Sequence, residues 1–197
     1  MANVWPSVMS DEQAMWRVQM HDDPQAFAEL VHRWEEPLRR MGARVLGDVH
    51  RAEDMAQEAF SRVFTHRRDF DPGARFSTWI WRIAVNLCRD ELRRRGRRPE
   101  TALVADSGEP GQETWDPATD APGPAEMVAG LERAEAVRRA VLRLPEPLRV
   151  VVALRHYEGL KFHEIAEVLG IPEGTAKSRM AEALDRLEKG LRSLGAE

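Results

Sequence analysis

The 197-residue chain has one cysteine, Cys88, no lysine or arginine between residues 99 and 126, and no long apolar run. A single thiol excludes an internal disulfide framework and a cysteine-based zinc site, and it suits a reducing cytosol. No stretch approaches the roughly 18 apolar residues of a membrane span, and the opening MANVWPSVMSDEQ lacks the basic start and apolar run of a secretory leader. A cytoplasmic protein without membrane insertion is expected. His21, His32, His50, His66, His156 and His163 are scattered without zinc-ligand spacing, and no Gly-rich phosphate loop or nucleophile motif occurs. Glu53, Asp54 and Glu58 lack the converging partners that magnesium needs. No metal, cofactor or enzymatic activity is expected.

With 43% hydrophobic and 31% charged residues, the composition fits one or two compact globular domains. The charge is unevenly divided. Residues 1–98 hold 17 Lys+Arg against 15 Asp+Glu, residues 99–126 hold none against 7, and residues 127–197 hold 12 against 11. All of the net acidity therefore sits in the middle stretch, PETALVADSGEPGQETWDPATDAPGPAE. Rich in Pro, Gly and acid and without helical period, it cannot bury enough surface to offset its ordering entropy. It reads as a flexible acidic linker between domains at 1–98 and 127–197, either a passive tether or a segment with a use for its charge.

No alternating strand pattern competes with helical spacing, so the fold class is expected to be all-α, with two small helical domains. Phe27, Ala28, Leu30, Val31, Trp34, Leu38, Met41, Val45 and Leu46 recur at three- and four-residue spacing, interrupted only by Pro37. A second run places Met55, Ala56, Ala59, Phe60, Val63 and Phe64 on one side and Glu53, Asp54, Gln57, Glu58, Ser61 and Arg62 on the other. A third helix follows Asp71-Pro72-Gly73, with Ser77 as a candidate N-cap, and Gly96 and Pro99 are expected to stop it.

That third helix carries Trp79 and Trp81 near Arg82, Asn86 and Arg89, and it ends in Arg93, Arg94, Arg95, Arg97 and Arg98. Aromatic faces stack on unpaired bases and guanidinium groups hold phosphates, while the adjoining loop with Phe70, Arg75 and Phe76 is suited to accept a base pulled from the stack. Ile80, Ile83, Ala84 and Leu87 are core. Trp79 suits core and stacking equally, and the terminal arginines suit either phosphates or the negative end of the helix dipole.

In the C-terminal part, Leu144-Pro145-Glu146-Pro147 breaks one helix and the next begins at Leu148. Ile165, Ala166 and Leu169 form the buried side of a short helix, Gly170 permits a tight turn, and Pro172 suits the start of the last helix. There Ala176, Met180, Ala183, Leu184 and Leu187 cluster on one side, and Gly174, Thr175, Ser178, Ala181, Glu182 and Asp185 face the other, flanked by Lys177 and Arg179. A small, polar N-terminal half is what a major-groove helix requires. The unit reads as a helix-turn-helix, with a plain helical hairpin as the alternative.

HRAEDMAQEAFSRVFTHR, FSTWIWRIAVNLCRDELRRRGRR and LPEPLRVVVALRHYEGLKFHEIAEVLGIPEGTAKSRM occur in that order around the acidic linker. Together they resemble the two domains of bacterial extracytoplasmic-function (ECF) sigma factors, over most of residues 24–98 and 127–194. The resemblance implies an alternative sigma factor that binds core RNA polymerase, through its beta and beta-prime subunits, and directs it to promoter DNA. It implies that Asp54, Gln57 and Glu58 meet the polymerase clamp. It assigns Phe70, Arg75, Phe76, Trp79, Arg82, Asn86 and Arg89 to the melted minus-ten strand, and the terminal arginines to duplex phosphates upstream.

Thr175, Lys177, Ser178 and Arg179 match the core of the minus-thirty-five recognition helix, with Ala176 where valine is more common. The chain departs from the family at Met180-Ala181-Glu182-Ala183-Leu184-Asp185, where basic residues are usual. Glu182 either accepts from a cytosine amino group, lies outside the groove, or docks on a regulator; the second reading is preferred. The resemblance further implies an anti-sigma factor that clamps both domains, and a linker that threads toward the RNA exit path. Without a dimerisation heptad, no obligate homo-oligomer is expected. A free-standing repressor or activator and a pure protein-interaction module are the alternatives.

Overall fold

A computed structural model describes residues 9–97 and 124–194. Every regular element among them is helical, so the fold is all-α. The linker expected at 99–126 lies outside the described residues except for its last three positions, which already belong to a helix.

The first helix, α1 (Asp11–His21), is not legible as a periodic segment. It starts with a capping box in which Ser10 Oγ accepts from the Gln13 N–H at 3.2 Å and Gln13 Oε1 accepts from the Ser10 N–H at 3.0 Å. Its buried residues are Ala14, Met15 and Val18. Helix α2 (Pro24–Leu46) begins after Asp23, whose carboxylate accepts from the backbone N–H groups of Gln25 and Ala26, and runs through Pro37 to Gly47 at φ 73°. Helix α3 (Val49–Thr65) packs so closely on α2 that a Cβ at Gly42 would stand 2.5 Å from Met55 Cε and 3.0 Å from Ala52 Cβ. A short 3-10 turn (Arg67–Asp69) leads into the loop before α4 (Phe76–Arg97), which runs on through Gly96 instead of stopping there, since that glycine keeps a helical backbone.

The C-terminal part comprises α5 (Pro124–Arg143), α6 (Glu146–Val152), a π turn continuing α6 (Ala153–Tyr157), α7 (Phe162–Leu169) and α8 (Glu173–Leu194). Gly170 takes the left-handed conformation at φ 64°, ψ 39° that the tight turn requires. Pro172 stands just ahead of α8, its carbonyl accepting from the N–H groups of Thr175 and Ala176. Leu184 differs from the periodic expectation: it is 53% exposed, because α8 buries Ala183 against Leu144, Leu148 and Val152 and leaves the next position outward.

The two parts share an apolar core. Met15, Leu30, Leu38, Met41, Phe76, Ile80 and Ala84 belong to the same buried cluster as Val151, Leu154, Ile165, Val168 and Ala176. Among the described residues, no helix is long and apolar enough to cross a membrane.

Candidate nucleic-acid interface

Helix α4 divides its residues by period. Ile80, Trp81, Ala84, Val85 and Cys88 are buried, while Ile83 and Leu87 are partly buried against the same core. The other side carries Trp79, Arg82, Asn86 and Arg89, in line with Arg75 just ahead of the helix. Steps of four and three residues return the chain to one face, so these five groups form a stripe along the helix. Arg75, Arg82 and Asn86 are exposed, and Trp79 and Arg89 are half-buried. The Trp79 ring lies 5.2 Å from Phe70 and 6.2 Å from Phe76.

Two expected members of the base-accepting set do not join it. Phe70 is 3% exposed and Phe76 is fully buried. Their rings meet at 6.2 Å, and Phe76 also packs edge-on against Trp34 at 5.9 Å. The loop turns them inward because they close the aromatic end of the core, so they support Trp79 from beneath and present no face to a base. The loop backbone is pinned as well: Gln19 Nε2 donates to the Phe70 carbonyl at 2.9 Å and to the Arg68 carbonyl at 3.2 Å, and Asp71 Oδ1 accepts from the Gly73 N–H at 2.9 Å. The start of α4 is not capped by Ser77. The Phe76 N–H instead donates to Glu12 Oε1 at 3.2 Å.

The terminal arginines separate into different roles. Arg93, Arg94 and Arg97 are exposed, with Arg93 near Asp90 at 3.5 Å and Arg94 paired to Glu91 at 2.6 Å. Arg95 does not extend this group: its Nη1 donates to the Leu46 carbonyl at 3.0 Å, satisfying the C-terminal end of α2. Arg98 lies outside the described residues.

On α3, Asp54, Gln57 and Glu58 are exposed, opposite the buried Ala52, Met55, Ala56, Ala59 and Phe60. Glu58 pairs with Arg62 one turn later at 2.9 Å. On α8, Lys177 and Ser178 are exposed and Thr175 and Arg179 half-exposed, while Ala176 anchors the helix inside. Ser178 Oγ donates to the Thr175 carbonyl at 3.0 Å and Lys177 pairs with Glu173 at 2.7 Å. The acids that set the second half of α8 apart pair with bases on their own helix: Glu182 with Arg186 and Asp185 with Lys189, both at 2.7 Å.

Sequence reasoning missed the groups that meet the α4 stripe. Arg75 Nη1 donates to Glu164 Oε1 at 2.7 Å, Arg82 Nη2 to the Glu167 carbonyl at 2.8 Å, and Arg89 Nε to Glu146 Oε1 at 2.9 Å. The Lys161 backbone N–H, with smaller help from His163 and Arg75, holds the Glu164 carboxyl below the ordinary glutamate range. On α2, Arg40 and Arg44 face the nearly buried Glu158 at 3.6 and 3.9 Å, and Arg44 lies 4.0 Å above the Tyr157 ring. Arg149 Nη1 donates to the Val45 carbonyl at 2.6 Å, and burial pushes its guanidinium pKa down. Nothing in local spacing marks these acids as partners of residues so distant in the chain.

Taken together, these features define a helix-turn-helix protein with a second helical unit packed against the first. The family models named "Sigma-70 region 2" and "Sigma-70, region 4" match residues 30–98 and 134–187. The ECF RNA polymerase sigma factor SigW of Bacillus subtilis is 37% identical over 174 residues, 87% of this chain and 92% of that protein. Among solved structures, CnrH in complex with the cytosolic domain of CnrY shares the fold with a TM-score of 0.68 at 22% identity, over 93% of this chain and 97% of that one. The sigma factor RpoE in complex with the anti-sigma factor NepR, from Bartonella quintana, does so with a TM-score of 0.65 at 20% identity, over 85% and 98%. The chain belongs to the ECF sigma factor family, whose members are transcription initiation factors.

Proposed function

We propose that this protein binds core RNA polymerase in the cytoplasm, brings it to promoters carrying minus-thirty-five and minus-ten elements, and starts transcription under the control of an anti-sigma factor. The observation that carries this reading is the stripe on α4. Two guanidinium groups, an indole and a carboxamide stand in line on a rigid helix with a third guanidinium just ahead of it, the combination that holds a single strand by phosphate contact and stacking. Phe70 and Phe76 act here as the support that fixes Trp79. Arg93, Arg94 and Arg97, with Arg98, hold duplex phosphates beyond the end of that stripe.

The polar N-terminal turn of α8, with Thr175, Lys177, Ser178 and Arg179, enters the major groove at the minus-thirty-five element. Glu182 and Asp185, each held by a base four residues on, lie outside the groove, so this domain binds its element weakly without polymerase. Asp54, Gln57 and Glu58 meet the clamp of the beta-prime subunit, and the acidic linker runs along polymerase surfaces that otherwise receive nucleic acid. The anti-sigma factor in the Bartonella quintana complex supports control by a protein of that kind.

The deciding experiment is transcription in vitro with purified core polymerase on fragmented genomic DNA, with and without this chain, followed by sequencing of RNA 5′ ends. New starts that share two upstream boxes at fixed spacing are expected. No new starts, together with tight duplex binding by the chain alone, would replace this reading with that of a free-standing repressor.

A further inference from the structure

We infer that Gln19 and Glu12 are positioning residues for promoter reading: from α1 they grip both stems of the loop between Phe70 and Phe76, and through those two rings they fix the Trp79 face that receives a base. This rests on the reading of the α4 stripe as a DNA surface. Residues 71–75 form an exposed arc, and the phenyl rings at its two ends are buried. On the incoming stem, the Gln19 carboxamide, which carries two donors, meets the Arg68 carbonyl at 3.2 Å and the Phe70 carbonyl at 2.9 Å. On the outgoing stem, Glu12 Oε1 accepts from the Phe76 N–H at 3.2 Å.

Positions 12 and 19 are two turns apart on one face of α1, so a single rigid helix holds both ends of the arc. Met15, between them on that face, is fully buried and seats it on the core. The backbone bonds at the tip are internal: the Asp71 side chain accepts from the Gly73 N–H and the Asp71 carbonyl from the Ala74 N–H, both at 2.9 Å. A cleft of about 410 Å³, lined by Met9, Glu12, Gln13, Trp16, Arg17 and Pro72, opens between the tip and α1. The loop backbone is therefore tied to the domain at its stems. Trp79 stands 5.2 Å from the Phe70 ring and 6.2 Å from the Phe76 ring, so a stem that shifts takes with it the support on which the indole rests. Loosening a stem leaves α8 intact and blurs the geometry offered to an unpaired base, which lowers discrimination between bases.

The test uses the full-length chain with core polymerase on fragmented genomic DNA and compares base preference in the two upstream boxes of the new starts. Q19M removes both donors at nearly constant length, E12A removes the acceptor, and E12Q restores one. V45A is a core change next to Leu46, whose carbonyl meets Arg95 at the opposite end of α4, and it controls for lost stability. Hydrogen exchange of residues 70–76 in the same proteins without polymerase reads the stems directly.

Q19M and E12A should each speed exchange in the loop about fivefold or more, and lower preference at one or two minus-ten positions about threefold or more, with the minus-thirty-five box unchanged. E12Q should resemble the parent chain, and V45A should lower yield at all starts alike without altering preference. Unaltered minus-ten preference in Q19M and E12A, or only a uniform loss of yield as in V45A, would overturn the positioning role. Altered preference without faster exchange would overturn it too, because the route through the loop would be absent. If Q19M does not fold, the comparison of E12A with E12Q decides alone. R82A/N86A, at two exposed stripe positions, separates the two readings. If it impairs transcription while Q19M and E12A leave preference unaltered, the DNA reading stands and only the positioning role has failed, whereas normal transcription by R82A/N86A means that the DNA reading itself has failed.

Discussion

Glu12 and Phe76 are 64 positions apart in the chain and meet in the fold, where the carboxylate accepts from the first N–H of α4 at 3.2 Å. An orphan donor at a helix start is thus satisfied by a side chain of α1. Glu12→Ala should destabilise the protein by about 1 kcal/mol, as loss of an N-cap does, and Glu12→Gln, which keeps an acceptor, by less. Urea denaturation of the three proteins checks this; equal stability throughout would mean that water caps α4 equally well.

Gly42 lies where α2 and α3 approach most closely. In an open helix Gly→Ala gains roughly 1 kcal/mol of propensity. Here the new methyl would meet Ala52 Cβ at 3.0 Å and Ala52 Cα at 3.2 Å, and backbone cannot swing aside as the Met55 terminus can. Gly42→Ala is therefore expected to lower stability, by about 1–3 kcal/mol for overpacking. A midpoint that rises on denaturation would show that the two helices separate without cost.

Cys88 is buried, and burial together with the nearby Glu146 and Glu91 pushes its thiol pKa up to about 12. Since only the thiolate attacks a disulfide reagent, and the raised pKa keeps the group protonated at about pH 8, the native thiol should be nearly inert. Ellman's reagent should titrate one thiol only after denaturant is added. Rapid native reaction would reveal that the packing of α4 opens readily.

Asp54, Gln57 and Glu58 sit outside the core, so changes there test binding without loss of fold. Asp54→Arg combined with Glu58→Arg should reduce affinity for core polymerase by about tenfold or more while thermal melting stays within a degree or two, as is usual for surface sites. Undiminished affinity would move the polymerase contact to another face.

Glu182 is paired to Arg186 at 2.7 Å. Glu182→Arg should tighten binding to many duplex sequences together and steepen the salt dependence by about one to two released counterions. If preference changed at a single base pair instead, Glu182 would be reading cytosine.

Much of the fold is legible in the sequence because helical period and capping are local. The buried sides of α2, α3 and α4 follow from apolar spacing except at Ala28 and Phe64, which are exposed, and Gly170 marks the turn before α8. Helix α1 escapes such a reading because its buried set is only Ala14, Met15 and Val18, too few for a periodic signal, although Ser10 and Gln13 carry a capping box. The candidate site is less legible. Phe70 and Phe76 look the same as exposed aromatics in a linear chain, and only the packing of Trp34 and Trp79 around them reveals that they are core.

By itself, the sequence determined the helical class, the acidic stretch between two domains, and the nearness of Trp79, Arg82, Asn86 and Arg89 on one helix, since an α-helix converts fixed spacing into a shared face. Which acceptors the arginines meet was decided by tertiary structure. Arg95 was taken up by an α2 carbonyl and Arg75, Arg82 and Arg89 by acceptors from the other domain. The physical reason is that a guanidinium group binds whichever acceptor the fold brings within hydrogen-bond distance, and that proximity depends on contacts between residues up to 89 positions apart.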